Sequence, residues 1–104
     1  MRVMLSGEIG FHDWEILSAY FRNYLSAGIL RWHIDLTALH FIDSAVLGML
    51  ISMLATLRGR DGDMQLRVLA NSQLASMLKI AKLERLMTIQ YKSATVVDPN
   101  QITQ

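Results

Sequence analysis

From Ala45 to Leu57 only Gly48, Ser52 and Thr56 interrupt a run of Ala, Val, Leu, Met and Ile. So long an apolar segment exceeds a strand and reads as a helix. It opens on Asp43-Ser44, two residue types that accept hydrogen bonds from the free N–H groups of a helix start, so one of them is expected to be the N-cap. The helix carries more apolar surface than one core-facing stripe needs. Val46, Met49, Met53 and Leu57 form a second stripe beside Leu47, Leu50, Ile51 and Leu54. Methionine adapts to partner surfaces, so that stripe either fills the core or is covered by a partner.

The flanking segments say what the helix packs on. Val3 and Leu5 share a face of a short strand, Arg2–Ser6, followed by a turn over Gly7–Gly10. Trp14, Leu17, Phe21 and Leu25 then recur at helical spacing, which predicts a helix from about Asp13 to Ala27 stopped by Gly28. Leu30, Trp32, Ile34 and Leu36 alternate with Arg31, His33 and Asp35 as a second strand, and Thr37–Ile42 reads as the loop into the apolar helix. Arg58-Gly59-Arg60-Asp61-Gly62-Asp63 ends that helix in a solvated turn. Met64, Leu66 and Val68 give a third strand, Asn71-Ser72 caps a helix with Leu74, Met77, Leu78 and Ala81 on one stripe, and Met87, Ile89 and Tyr91 make a last strand.

The order β-α-β-α-β-α-β predicts an α/β fold: one small domain over residues 1–92, with a central mixed sheet of about four strands and helices packed against it. Residues 93–104 read as a flexible tail. With 104 residues there is room for one core. A net charge of +1 from ten basic and nine acidic residues spread along the chain leaves no footprint for nucleic acid. The absence of cysteine removes disulfides and thiolate chemistry and fits the cytoplasm. The N-terminal apolar stretch is too short for a signal peptide, and Ala45–Leu57 falls short of the roughly 20 residues that span a bilayer, so no membrane insertion is expected.

Catalytic chemistry finds little support. His12, His33 and His40 lack metal-ligand spacing, and Asp61 and Asp63 around Gly62 lack the other ligands of a calcium loop. Asp35, His40 and Asp43 lie near Ser44, but no Gly-x-Ser-x-Gly elbow accompanies them. No catalytic residue, metal or cofactor is assigned. Trp14, Phe21 and Trp32 fall on buried faces and read as core.

The segment Arg31–Leu50 resembles the centre of a STAS domain of the bacterial anti-sigma factor antagonists. It carries that family's strand ending in Asp35-Leu36-Thr37, its loop aromatic at Phe41, and its Asp43-Ser44 and Leu47-Gly48. Leu5-Ser6-Gly7 and the stretch from Ala70-Asn71-Ser72 to Ile89 resemble the family's early turn and later elements, so the likeness covers nearly the whole chain. Two positions depart from the pattern: Ala45 replaces a second Ser or Thr, and Val46 a Gly or Ala. The leading strand that many members have before the Leu-Ser-Gly segment is not evident, so an exposed sheet edge is expected.

The resemblance implies a phospho-switched binding module. Unphosphorylated, it would bind an anti-sigma factor of the serine-kinase type. That kinase would inactivate it by phosphorylating Ser44, and a serine phosphatase would restore it. The partner surface is expected at Asp43, Ser44, Ala45, Val46, Met49 and Met53. The alternative is a constitutive regulatory subunit of a membrane transporter ATPase, with Ser44 only capping the helix.

Overall fold

The computed structural model describes residues 1–93. Its elements are β1 (Arg2–Ile9), α1 (Trp14–Ser26), β2 (Arg31–Ile42), α2 (Ser44–Arg58), β3 (Asp63–Leu69), α3 (Gln73–Ile80) and β4 (Thr88–Lys92), with single 3-10 turns at Phe11–Asp13 and Leu83–Arg85. The strands lie in the order β1-β2-β3-β4 and all three pairings are parallel. The α/β architecture is the expected one, but the sheet is parallel throughout and not mixed. Each of β1, β2 and β3 is followed by a helix that carries the chain back to the same end of the sheet, and such a crossover adds a parallel neighbour. The expected tail, residues 93–104, lies outside the described residues from 94 on.

Right-handed crossovers that always step to the next strand put every helix on one face of the sheet. The sequence obeys that asymmetry. Val3, Trp32, Ile34, Leu36, Met64, Leu66 and Val68 face the helices and are buried. The register places Arg2, His33, Gln65 and Thr88 in one row across the other face, and Met4, Asp35, Arg67 and Gln90 in the next. All eight of these are exposed or half-exposed. Under the helices, the Trp32 ring stacks on Phe21 with centroids 5.1 Å apart, and its Nε1 donates to the Ile29 carbonyl at 2.7 Å. Burying the indole therefore leaves no donor unpaired.

Helix ends follow the sequence with one exchange of roles. Gly28, at φ +78, ends α1: its N–H donates to the Leu25 carbonyl while Ile29 N–H donates to Tyr24, closing a Schellman motif. After α2 the left-handed residue is Asp61, at φ +62, and neither nearby glycine. Gly62 serves a different need. A Cβ there would overlap the Leu30 carbonyl oxygen and lie 2.8 Å from the Leu30 Cβ, just where the Asp63 N–H donates to that carbonyl and aligns β3 beside β2.

β2 is longer than the alternation of residues 30–36 implies. Thr37–Ile42 is strand, not loop, and β1 runs on to Ile9 beside it. The continuation depends on two breaks in register, between Met4 and Ser6 and between Gly7 and Glu8. At the first, the Asp35 carboxylate accepts from the Thr37 N–H at 2.9 Å and the Thr37 hydroxyl at 2.6 Å. This local turn absorbs an extra residue in β2 and reverses the simple in-out pattern beyond it. At the second, Gly7 adopts φ +82.

Burial works against the Asp35 charge, but the Thr37 hydroxyl and N–H, then Arg67 and Arg2, outweigh it and hold the carboxyl below its ordinary range. A carboxylate with a lowered folded-state pKa contributes stability above its unfolded value, near 3.9, and loses it as pH falls through the folded value. Asp35→Asn should therefore cost roughly 1–2 kcal/mol near neutral pH, with the gap to wild type closing below about pH 4 in urea unfolding. Gly62→Ala should cost about 1–3 kcal/mol in the same assay at any pH, because the backbone of Leu30 must move.

Candidate functional site

The C-terminal end of β2 delivers the chain to α2 through Asp43, whose φ of −71° and ψ of 147° are those of an N-cap. Its carboxylate accepts from the Ala45 N–H at 2.7 Å, and the Asp43 N–H donates to the Ile9 carbonyl at 2.9 Å, which ties the cap to β1. Of the two candidate caps, Asp43 does the capping. Ser44 is the first helical residue, it is exposed, and among the described residues its hydroxyl has no hydrogen-bond partner, His40 included.

Beside Ser44 lies a groove of about 340 Å³ between the end of β2, the start of α2 and α3, lined by His40, Phe41, Ile42, Asp43, Ser44, Gln73, Leu74 and Met77. Phe41 is 52% exposed at its rim, an aromatic that the core leaves uncovered. α3 is capped by Ser72, whose hydroxyl accepts from the Ala75 N–H at 3.0 Å. The helix turns Ala75 and Leu78 into the core and leaves Leu74 and Met77 half-buried on the groove side. An apolar concavity thus adjoins an unengaged hydroxyl at a helix N-terminus, where free N–H groups and the helix dipole favour negative charge.

The residues expected to form the partner surface divide. Asp43, Ser44, Ala45 and Met53 keep exposed or half-exposed surface, whereas Val46 at 0% and Met49 at 5% are core. Of the second stripe of α2, Val46, Met49 and Leu57 fill the core and Met53 alone keeps half-exposed surface, so the partner contacts expected at Val46 and Met49 are corrected. α2 packs on β2, on β3 and against α1, so its buried face spans both stripes: Val46, Leu47, Met49, Leu50, Leu54 and Leu57. What α2 leaves exposed is Ser44, Gly48, Ser52, Ala55, Thr56 and Arg58, small or polar residues. Leu74 and Met77 were legible as apolar helix positions, but their place beside Ser44 comes from the crossover from β3 to α3, which no spacing encodes. Among the described residues, no three His, Cys, Asp or Glu side chains are grouped to hold a metal, and no helix is long and apolar enough to cross a membrane.

This geometry has known counterparts. The family model of the Mlab STAS domain matches residues 1–89. The chain belongs to the STAS-domain family. Two solved structures share the STAS fold. One, assigned as an anti-sigma factor antagonist from Thermotoga maritima, has 18% sequence identity over 89% of this chain and 81% of its own, with a TM-score of 0.69. The other is the anti-sigma factor antagonist SpoIIAA in its unphosphorylated form, at 22% identity over 89% of this chain and 79% of its own, with a TM-score of 0.64. No curated protein sequence matches the chain.

The division of labour at the helix start has a measurable consequence. Asp43→Ala should lower the unfolding free energy by about 0.5–2 kcal/mol, the usual cost of losing a cap. Ser44→Ala should change it by less than about 0.5 kcal/mol. Thermal or urea unfolding of the pair checks this, and equal losses would return the cap to Ser44.

Proposed function

We propose that this STAS domain is a cytoplasmic anti-sigma factor antagonist whose binding to a serine-kinase-type anti-sigma factor is switched off by phosphorylation at Ser44. The observation that carries the reading is the free, exposed Ser44 hydroxyl at the start of α2, beside the groove of Phe41, Leu74 and Met77. A kinase needs a hydroxyl that the fold does not use, and Asp43 has taken over the cap. The fold likeness to two anti-sigma factor antagonists supports the same reading.

The switch follows from charge. A phosphate brings about −1.5 to −2 charges at neutral pH. On Ser44 that charge would be tolerated by the helix N-terminus yet would sit beside the Asp43 carboxylate and at the mouth of an apolar groove. A partner that covers the groove would then have to desolvate the phosphate and meet two like charges. The unphosphorylated form offers it an aromatic, a leucine, a methionine and a rim whose one acidic group is Asp43. ATP enters only as the kinase's substrate, and a serine phosphatase would return the protein to its binding form. With Val46 and Met49 in the core, the contact surface becomes Phe41, Asp43, Ser44, Ala45, Leu74 and Met77, with Met53 farther along α2.

Capture from host lysate with wild type, Ser44→Ala and Ser44→Asp as parallel baits tests the reading. Wild type and Ser44→Ala should hold a serine-kinase-type protein, and Ser44→Asp should bind it at least about tenfold more weakly, a loss of about 1.4 kcal/mol. Retention of the same membrane transporter ATPase by all three baits would replace the switch with constitutive docking.

A further inference from the structure

β1 forms one edge of the described sheet, and its free side is prepared for another strand. The Met1 carbonyl accepts from His33 N–H at 2.8 Å and the Ile9 carbonyl from Asp43 N–H at 2.9 Å, so odd-numbered residues at both ends of β1 turn their backbone groups toward β2. Strand alternation then points the N–H and C=O groups of Arg2, Met4, Ser6 and Glu8 outward. Both extra residues in the β1–β2 ladder belong to β2, so this parity holds along β1 even though Gly7 is at φ +82. Proline and lysine, which commonly blunt an exposed edge, are absent from Arg2–Ile9. Along the edge runs a groove of about 420 Å³ between β1 and α1, lined by Met4, Leu5, Ile16, Leu17 and Tyr20 among others. On the helix side of the edge Ile16 is 76% exposed and Tyr20 40%, an apolar strip beside the free hydrogen-bonding groups, and Met4 is 65% exposed on the opposite face.

We propose that a second copy of this chain occupies this edge, with β1 pairing antiparallel to β1 of its partner about a two-fold axis at Leu5. The strand is self-complementary in that register and in no other. Arg2 lies opposite Glu8 of the partner subunit, and Met4 opposite Ser6 of the partner subunit. These are the outward-pointing residues, so each pair exchanges both backbone hydrogen bonds. Residues directly opposite across an antiparallel pair share a face, which sets the two opposite charges side by side at each end. A slip of two residues either way brings Arg2 opposite Ser6 or Gly10 of the partner subunit and leaves both charges unmatched. On the helix-facing side Leu5 meets its own copy, and Ile16 and Tyr20 of both copies close over the apolar strip. The result is one continuous sheet through both protomers. None of the residues lining this edge groove lines the groove beside Ser44, so the dimer leaves that site open and stands whether or not Ser44 is a switch.

Analytical ultracentrifugation of the full chain over the micromolar range tests the proposal. Wild type should show a concentration-dependent dimer. Arg2→Glu and Glu8→Arg should each weaken it by about tenfold, and the double reversal should restore it. Ser6→Pro removes an outward N–H without touching the β1–β2 bonds and should abolish the dimer while the far-ultraviolet circular dichroism stays that of wild type. A protein that stays monomeric throughout overturns the proposal. A dimer indifferent to both charge reversals, or one that they weaken and the double reversal does not restore, overturns it as well.

Discussion

Coverage of a parallel sheet on one face only is the constraint from which the rest of this structure follows. Parallel sheets are ordinarily buried on both faces and their strands read as continuous apolar runs. Here the strands step in order and the helices share a side, so each strand must be apolar toward the helices and polar away from them. β2 and β3 comply over Arg31–Leu36 and Asp63–Leu69. The open face is held by polar groups: Asp35 approaches Arg67 to 3.9 Å while the Thr37 hydroxyl and N–H take up the carboxylate. At that distance, with both side chains partly exposed, the ion pair adds little. The hydrogen bonds to Thr37 secure the bulge.

The same constraint explains how much of the fold was legible in the sequence. Strict alternation in β2 and β3 marks both the strands and the face they bury, and the helical spacing of Trp14, Leu17, Phe21 and Leu25 marks α1. Legibility ends where a long-range pairing overrides the local pattern. Thr37–Ile42 looks like a loop because the bulge at Asp35–Thr37 shifts the phase of the alternation. It is strand because the far half of β1 lies beside it, from Ser6 opposite Ala38 to Ile9 opposite Ile42. No property of residues 37–42 alone carries that information.

The candidate site was legible to the same degree. The pair Asp43-Ser44 announced a helix start, but choosing the cap between them depends on which side chain reaches the Ala45 N–H, and only the backbone at Asp43 settles it. The apolar excess of α2 was real, and its meaning was not evident. A helix resting on two strands with another helix at its side buries a wider arc than an amphipathic surface helix, so Val46 and Met49 belong to the core. The apolar surface left over came from elsewhere, from Phe41 at the end of β2 and from Leu74 and Met77 on α3. Those residues are far apart in sequence and meet only because parallel crossovers return every strand's end to the same edge of the sheet.

That end of the sheet suits the proposed switch because of what Asp43 does there. A hydroxyl that caps a helix cannot be modified without unsettling the helix, which would couple phosphorylation to stability and expose the core. With Asp43 holding the Ala45 N–H and anchored to Ile9, the hydroxyl one residue on is free to change its charge at small cost to the fold. The effect of the charge then falls on whatever approaches the groove. A surface that responds by repulsion and desolvation keeps one conformation in both states. Under the proposed switch the two forms would differ in what they bind and not in how they fold, so a domain with a single small core would change partners without drawing on its own marginal stability.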